Sequence, residues 1–459
     1  MAPSELSRQT HEQVGIYPHT EGGVISVLEA RIKELGSKSL EAREFTAFIS
    51  QLSKAFATTM LLSLLAIAAV LRFLASANQS PLRNYALEKV LHQAAPVFGV
   101  YKNVQSKTST WMKAYQDDTL IVHMNLPGTH DADTWNYTQA TQNSLLGITN
   151  LAGIVEFPPE YFRCQDKSIV DMLNAGIRVF DLRPALDVTN STLVFWHSQA
   201  LVSETATMAD VMYGFYKWLD DHPSEAVFLS FQYEGSTTPY GSDDAQADLK
   251  IFNILNSTAA QHYVLQVHDK FGTLGEARGK VTLLKRFDLG SLPSSYAAQL
   301  PGVHFSPANW NDNDPNITLV YNSALPGDNG TAYIEDFYEV AVPNGSPASL
   351  AVTWKYNATT AHLSMAASSH PDSLFWTFAS SENDDGIPGE TPEIMALGSG
   401  VTITGNITAE GGGVNQRLLP FIQSFPKGTR LGIVMFDFYE TPTGLVDALL
   451  DLQAPHGAY

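Results

Sequence analysis

Eight apolar, strand-like runs separated by amphipathic helical segments or long polar loops predict an α/β protein. The expected form is a TIM-type (β/α)8 barrel, distorted or incomplete, behind an N-terminal extension. Two further observations support that class. The chain has 459 residues, 44% hydrophobic and 16% charged, enough apolar material for one large barrel core and too much for a disordered chain. Chemically active polar side chains also fall just after the runs, and a parallel barrel gathers its strand ends on one face.

The extension comes first. Residues 1–54 form a tail in which Val24, Leu28, Ile32 and Leu35 have helical spacing. Residues 55–75 (AFATTMLLSLLAIAAVLRFLA) are long and apolar enough to cross a bilayer if Arg72 snorkels at one end. They begin too late for a cleaved signal peptide and read as a transmembrane signal anchor, with the tail cytosolic. Lys38, Arg43 and Lys54 supply a slight positive-inside bias among Glu41 and Glu44. A buried globular helix, or a signal peptide preceded by extra sequence, are the competing readings. Residues 76–114 read as a linker or stem, and 115–459 as the barrel.

The strand candidates are Leu120–Asn125, Ile177–Leu182, Leu193–Trp196, Ala226–Phe231, Val281–Arg286, Ala332–Ile334, Leu374–Ala379 and Leu431–Phe436. Helical segments between them include Ser168–Ala175, Thr207–His222, stopped by Pro223, and Asp244–Ser257. Ser306–Gly330 and Glu382–Glu393, rich in Asn, Asp, Pro or acid, read as surface loops. Gly411–Gly413 reads as a surface turn, because no lysine follows to complete a phosphate loop.

A net charge of −20 excludes nucleic acid as a partner, since that binding needs basic patches to displace counterions. With Cys164 as the single cysteine, no intrachain disulfide can form, and its thiol is expected as buried apolar filler. Nine of 22 asparagines (Asn78, Asn136, Asn190, Asn256, Asn316, Asn329, Asn344, Asn357 and Asn406) open an N-x-S/T triplet. Average Ser and Thr usage gives a share of only roughly one in seven or eight. The excess points to the secretory pathway, N-linked glycans, and a lumenal, extracellular or secreted barrel; plain Ser/Thr richness is the bland alternative.

His130 and Asp131 follow the first run, Arg183 the second and His197 the third. Gln232 and Glu234 follow the fourth, Arg286 ends the fifth, and Asp437 follows the eighth. Phosphodiester cleavage needs a base for the attacking hydroxyl, an acid for the leaving alkoxide and cations on the phosphoryl oxygens. Two histidines can divide acid and base duty near neutrality, and the planar arginine fork suits two phosphate oxygens at once. The bland reading of any one of the 13 histidines is structural, as expected for His123 and His222. Asp181 reads equally as a site member or a strut for Arg183.

Residues 120–450 resemble the phosphatidylinositol-specific phospholipase C X-domain superfamily in its bacterial-type, metal-independent branch. The matching strings, in order, are LPGTHDA (126–132), CQDKSIVDMLNAGIRVFDLRP (164–184), FWHSQ (195–199) and FYKWLDDHPSEAVFLSFQYE (215–234). GEARGKVTLLKRF (275–287), YIEDFYEV (333–340) and RLGIVMFDFY (430–439) complete them. The resemblance implies His130 as general base on the inositol 2-hydroxyl and His197 as general acid for the diacylglycerol leaving group. It implies Arg183 on the phosphate where calcium sits in the animal enzymes, Asp437 paired with His130, and Asp131 with the acid side. It also implies Arg286, Asp336 and Tyr338 as headgroup contacts, Tyr338 by stacking. No cofactor and no metal are expected, and the partner is a phospholipid headgroup at a membrane. Two departures touch the headgroup pocket: Ala132 stands where the family has serine, and Gln232 where it often has lysine. A different phosphodiester, or a non-catalytic barrel used for binding, are the alternatives.

Overall fold

The computed structural model describes Ser50 and residues 81–149, 157–235, 241–384, 386 and 389–453. The chain divides into two units, Met1–Asn84 and Tyr85–Tyr459. The tail 1–49, the proposed anchor 55–75 and Asn78 lie outside the described residues. Among the described residues no helix is long and apolar enough to cross a membrane. Within the segment read as a linker, the helix Pro81–Phe98 buries Ala94, Val97 and Phe98, and the turn Trp111–Ala114 buries Trp111 and Met112. The eight described sequon asparagines are all at least partly exposed.

In chain order the strands are β1 (Leu126–Thr129), β2 (Val179–Leu182), β3 (Pro184–Leu186), β4 (Leu193–His197), β5 (Ala200–Leu201), β6 (Val227–Gln232) and β7 (Val281–Arg286). They continue as β8 (Val303–His304), β9 (Ile317–Val320), β10 (Thr331–Glu335), β11 (Leu374–Phe378), β12 (Ser399–Thr402), β13 (Gly405–Thr408) and β14 (Ile433–Phe436). Among the described residues nine of them form one sheet in the order β8-β7-β6-β2-β1-β14-β11-β10-β9. All its pairings are parallel except β9 on β10. Numbered along the chain, the eight parallel strands run fifth to first, then eighth to sixth. That is barrel order with the hydrogen-bonded ring left open between β8 and β10, where β9 instead adds an antiparallel edge. The expected distorted or incomplete barrel is this curled, open sheet.

Strand pleat separates two cores. Leu126, Val179, Phe228, Leu284, Ile334, Trp376, Ile433 and Met435 cluster inside the sheet. Their neighbours Phe180, Leu182, Leu229, Leu283, Val434 and Phe436 cluster with helix residues such as Phe215, Leu219, Leu418 and Leu445 outside it. The helix Met208–Asp221 begins with a capping box between Thr207 and Asp210 and stops before Pro223 as expected. The helix Ile169–Ala175 is capped by Ser168 and ended by Gly176 at φ 110°, so the chain turns directly into β2.

Three expectations are corrected. The first strand is Leu126–Thr129 and not Leu120–Asn125, of which Ile121–His123 is a 3-10 turn, so His123 is not a strand residue. Pro127 and Gly128 read as turn residues in sequence. Gly128 is needed there because a Cβ would collide with the Met435 sulfur and press on Val179 of the flanking strands. Leu193–Trp196 is a strand, but β4 pairs with β3 and β5 in a separate antiparallel sheet and is not a barrel stave. Ser306–Gly330 is more than a surface loop: it contributes β9 and a turn at Pro307–Asn309 that carries Trp310 to the cleft.

Candidate active site

The pleat that fills the barrel interior also aims the site. Stepping by two from interior residues leads from Leu126 to His130, from Val179 through Asp181 to Arg183, and from Phe228 to Gln232. The same step leads from Leu284 to Arg286, from Ile334 to Asp336, and from Met435 to Asp437. His197 arrives otherwise, from the end of β4. All these residues except Asp181 line a cleft of about 550 Å³, as do Tyr338, Glu234, Cys164 and Glu382. The structure therefore brings the sequence-predicted residues together; Asp131 and Asp181 lie beneath the floor, fully buried.

Sharp backbone turns make the convergence possible. Asp131, Ser198 and Phe438 have φ of 38°, 50° and 44°, each at or directly after a cleft residue. Such left-handed conformations cost on the order of 1–3 kcal/mol each and need support. Gln165 donates from Nε2 to the carbonyls of His130 and Phe436, both at 2.8 Å, tying the ends of β1 and β14. Asn415 Nδ2 donates to the carbonyls of Asp437 (2.8 Å) and Thr441 (3.0 Å) and holds the turn after β14. The Ser198 N–H donates to Glu234 Oε1 at 2.8 Å.

Each histidine is backed by a carboxylate. His130 Nδ1 lies 3.0 Å from Asp437 Oδ1, and its Nε2 accepts from Arg183 Nη2 at 3.1 Å. His197 Nδ1 donates to the Phe162 carbonyl at 2.7 Å and lies 3.3 Å from Asp131 Oδ2, which leaves Nε2 for the cleft. Arg183 also contacts Asp131 Oδ1 through Nε at 2.7 Å and Asp181 Oδ2 through Nη2 at 3.1 Å. Asp181 is thus a strut, and it reaches Ser230 (3.1 Å) and Arg286 (3.6 Å) as well.

Burial works against charge on His130, but Asp131 and Asp437 outweigh it and push the ring up to about 9. The contact from Arg183 asks the opposite, a lone pair on Nε2, so the ring stands between an acid-favouring and a base-favouring neighbour. Burial would raise Asp131, yet Arg183 and both histidines hold it below the usual carboxylate range. Asp133, buried and close to Asp131 and Asp181, is pushed up instead. Burial, then Asp384, Asp131 and Asp437, push Glu382 up to about 8, a protonated carboxyl on the cleft wall at neutral pH.

One wall of the cleft is built on Arg286, which lies 3.9 Å over the Trp310 ring and 3.6 Å from Asp336 Oδ2. Trp310 Nε1 donates to Asp336 at 2.7 Å, and the Tyr338 hydroxyl donates to Asp312 at 2.9 Å. Gln232 Oε1 is buried with no hydrogen-bond partner among the described residues. Sequence reasoning missed Trp310, Asp312, Glu382 and the Phe162 carbonyl. The lone tryptophan in an Asn/Asp-rich stretch was a usable signal; a backbone carbonyl leaves none. Side chains able to ligate a metal also meet here, Asp131, Cys164 and His197 having donor atoms within 4.8 Å of one another.

No family model matches the chain. Over 228 residues it is 22% identical to the 1-phosphatidylinositol phosphodiesterase of Staphylococcus aureus, a match covering 49% of this chain and 64% of that protein. Over 139 residues it is 30% identical to the human PI-PLC X domain-containing protein 1, covering 27% of this chain and 42% of that protein. The chain therefore spans less than two thirds of the length of these curated relatives. Its fold is similar to that of a double mutant of the phosphatidylinositol-specific phospholipase C from S. aureus. That likeness has a TM-score of 0.56 at 16% identity and covers 76% of this chain and 98% of that one.

Proposed function

We propose that this chain, a member of the phosphatidylinositol-specific phospholipase C X-domain superfamily, cleaves the phosphodiester of an inositol phospholipid by acid–base catalysis between His130 and His197. One observation carries the reading: two carboxylate-backed histidines share a single cleft with Arg183, which is bonded to one of them. Arg183 takes the phosphoryl oxygens, and His130, its Nδ1 proton held by Asp437, takes the proton of the attacking inositol hydroxyl at Nε2. His197, oriented by Asp131 and the Phe162 carbonyl, protonates the leaving alkoxide. Because nucleophile and phosphate belong to one headgroup, attack is intramolecular and yields a cyclic phosphodiester. A guanidinium provides the cationic charge on the phosphoryl group, so the reaction is expected to persist in excess chelator.

Arg286, Asp336 and Tyr338 form the headgroup wall, with Trp310 stacked on the arginine. Gln232 makes that wall this chain's own, and its unpaired oxygen favours a hydroxyl donor over a further phosphate; Ala132, expected at the same pocket, is instead buried in the outer core and does not line the cleft. The substrate lies at a membrane surface, and the exposed sequons suit a glycosylated barrel on the secretory route.

A phosphorus NMR time course on phosphatidylinositol vesicles with excess chelator tests the reading. Appearance and slow decay of a cyclic inositol phosphate is the expected result. Direct formation of the acyclic monoester, or loss of turnover on chelation, would overturn the mechanism.

A further inference from the structure

We propose that Cys164, His197 and Asp131 form an inhibitory binding site for zinc at the base of the cleft. The donor atoms come from three separate segments. Cys164 Sγ lies 3.9 Å from His197 Nδ1 and 4.0 Å from Asp131 Oδ2, and these two lie 3.3 Å apart. Tetrahedral zinc with ordinary bond lengths places its N and O donors about 3.4 Å apart and its sulfur about 3.6 Å from either. The thiol has only a few tenths of an ångström to move. The Phe162 carbonyl, hydrogen-bonded to Nδ1 at 2.7 Å, has to retreat by about 0.6 Å before the ring nitrogen can face a metal, and it then stands beside the fourth position.

A second carboxylate lies near the same sulfur. Asp437 Oδ2 is buried with no hydrogen-bond partner among the described residues. The Asp437 carboxylate, Cys164 Sγ and a His130 ring nitrogen also converge within 4.8 Å. The thiol thus sits between two carboxylate–imidazole pairs, one of them with an unused oxygen. Sulfur and nitrogen donors select a borderline-soft ion; magnesium and calcium demand oxygen shells. Cys164 is fully buried at the edge of the cleft, and of the three ligands His197 is the one the cleft exposes.

Binding displaces the thiol proton to solvent and replaces the proton on His197 Nδ1. The ring then cannot cycle through imidazolium, and Asp131 is drawn from Arg183. Without metal, burial first and then Asp437 and Asp131 push the thiol pKa well up, so Cys164 is no nucleophile. The inhibitory effect rests on the proposed reaction; the binding does not.

The test uses the full chain and cobalt(II) as a spectroscopic stand-in. Because the chain has a single cysteine, any sulfur-to-cobalt charge-transfer band belongs to Cys164. The band should saturate at equimolar cobalt, bleach on adding zinc, and vanish in Cys164→Ser. His197→Gln should keep the band but weaken affinity by about tenfold or more. Zinc should suppress phosphatidylinositol cleavage by about tenfold or more at concentrations that fill the site, chelator should restore it, and Cys164→Ser should resist. Absence of the band in the wild-type chain, or zinc affinity unchanged in Cys164→Ser, overturns the site. The spectral arm contains no lipid, so failure of the phosphodiesterase reading leaves it intact. Cleavage of lipid with no cobalt band removes the zinc site alone.

Discussion

Arg183 Nη2 lies 3.1 Å from His130 Nε2, a group that only donates set against the nitrogen that the proposed mechanism uses as its base. The same guanidinium is held by Asp131 and Asp181, so it is fixed in place and always charged. On the proposed mechanism a phosphate entering the cleft would compete with His130 for that donor and free the lone pair as it binds.

The acid limb of kcat/KM should therefore report His130. Imidazolium cannot act as a base, so activity should rise with pH towards about 9, the value to which Asp131 and Asp437 push the ring against burial. Asp437→Asn removes one raising influence and should move the limb to lower pH while reducing the plateau. A limb that stays put in pH–rate profiles would assign the titration to another group.

Replacing either histidine by alanine should lower the rate ~10²–10⁴-fold, and the double variant should lose far less than the product. A nitrophenyl phosphodiester needs little help from an acid. It should rescue His197→Ala much more than His130→Ala. Equal rescue would contradict the division of roles.

Glu382→Gln should stabilise the fold increasingly as pH rises. The carboxyl is pushed from 4.5 to about 8 in the folded chain, so between those values the folded state keeps a proton that the unfolded state has lost. Stability contributed below the lower value is lost as pH climbs through the higher one. Urea midpoints of wild type and variant should converge near pH 5 and separate by pH 8, within the window these two values define. Parallel midpoints would show that Glu382 ionises normally.

Glu225→Ala should destabilise the chain by about 3–5 kcal/mol, because it leaves a buried arginine without its counter-charge. Arg178 meets Glu225 Oε2 at 2.6 Å and donates to the carbonyls of Leu173, Ile177, Thr108 and Ser109. The guanidinium also lies between the rings of Trp111 and Trp218. Urea denaturation reads the loss; a change below about 1 kcal/mol would mean water replaces the carboxylate.

Sequence reasoning placed His130, Arg183, Arg286 and Asp437 together because each stands at the end of a strand-like run, and Asp336 because of the family resemblance; the structure gathers them in one cleft because interior parity runs unbroken from strand into loop. It misplaced the first strand because Pro127 and Gly128 carry turn signals that neighbouring strands override. It misassigned β4 because a strand's composition does not say which sheet receives it. Glu382 and Trp310 were hidden in segments whose polarity resembles that of any surface loop. Their place on the cleft wall is a property of the fold around them.

His130 and Asp437 stand 307 positions apart, and β14 slots between β1 and β11 in the middle of the sheet. During synthesis the chain can assemble β2, β6 and β7 beside β1 while the place for β14 is still empty. The carboxylate that backs His130 then arrives with the last of the described strands in chain order. Closing so long a loop is slow, and its entropy must be met before the pairing rewards it. The His130–Asp437 pair therefore forms late in folding, and on the proposed function a chain whose β14 has not yet paired would be inactive.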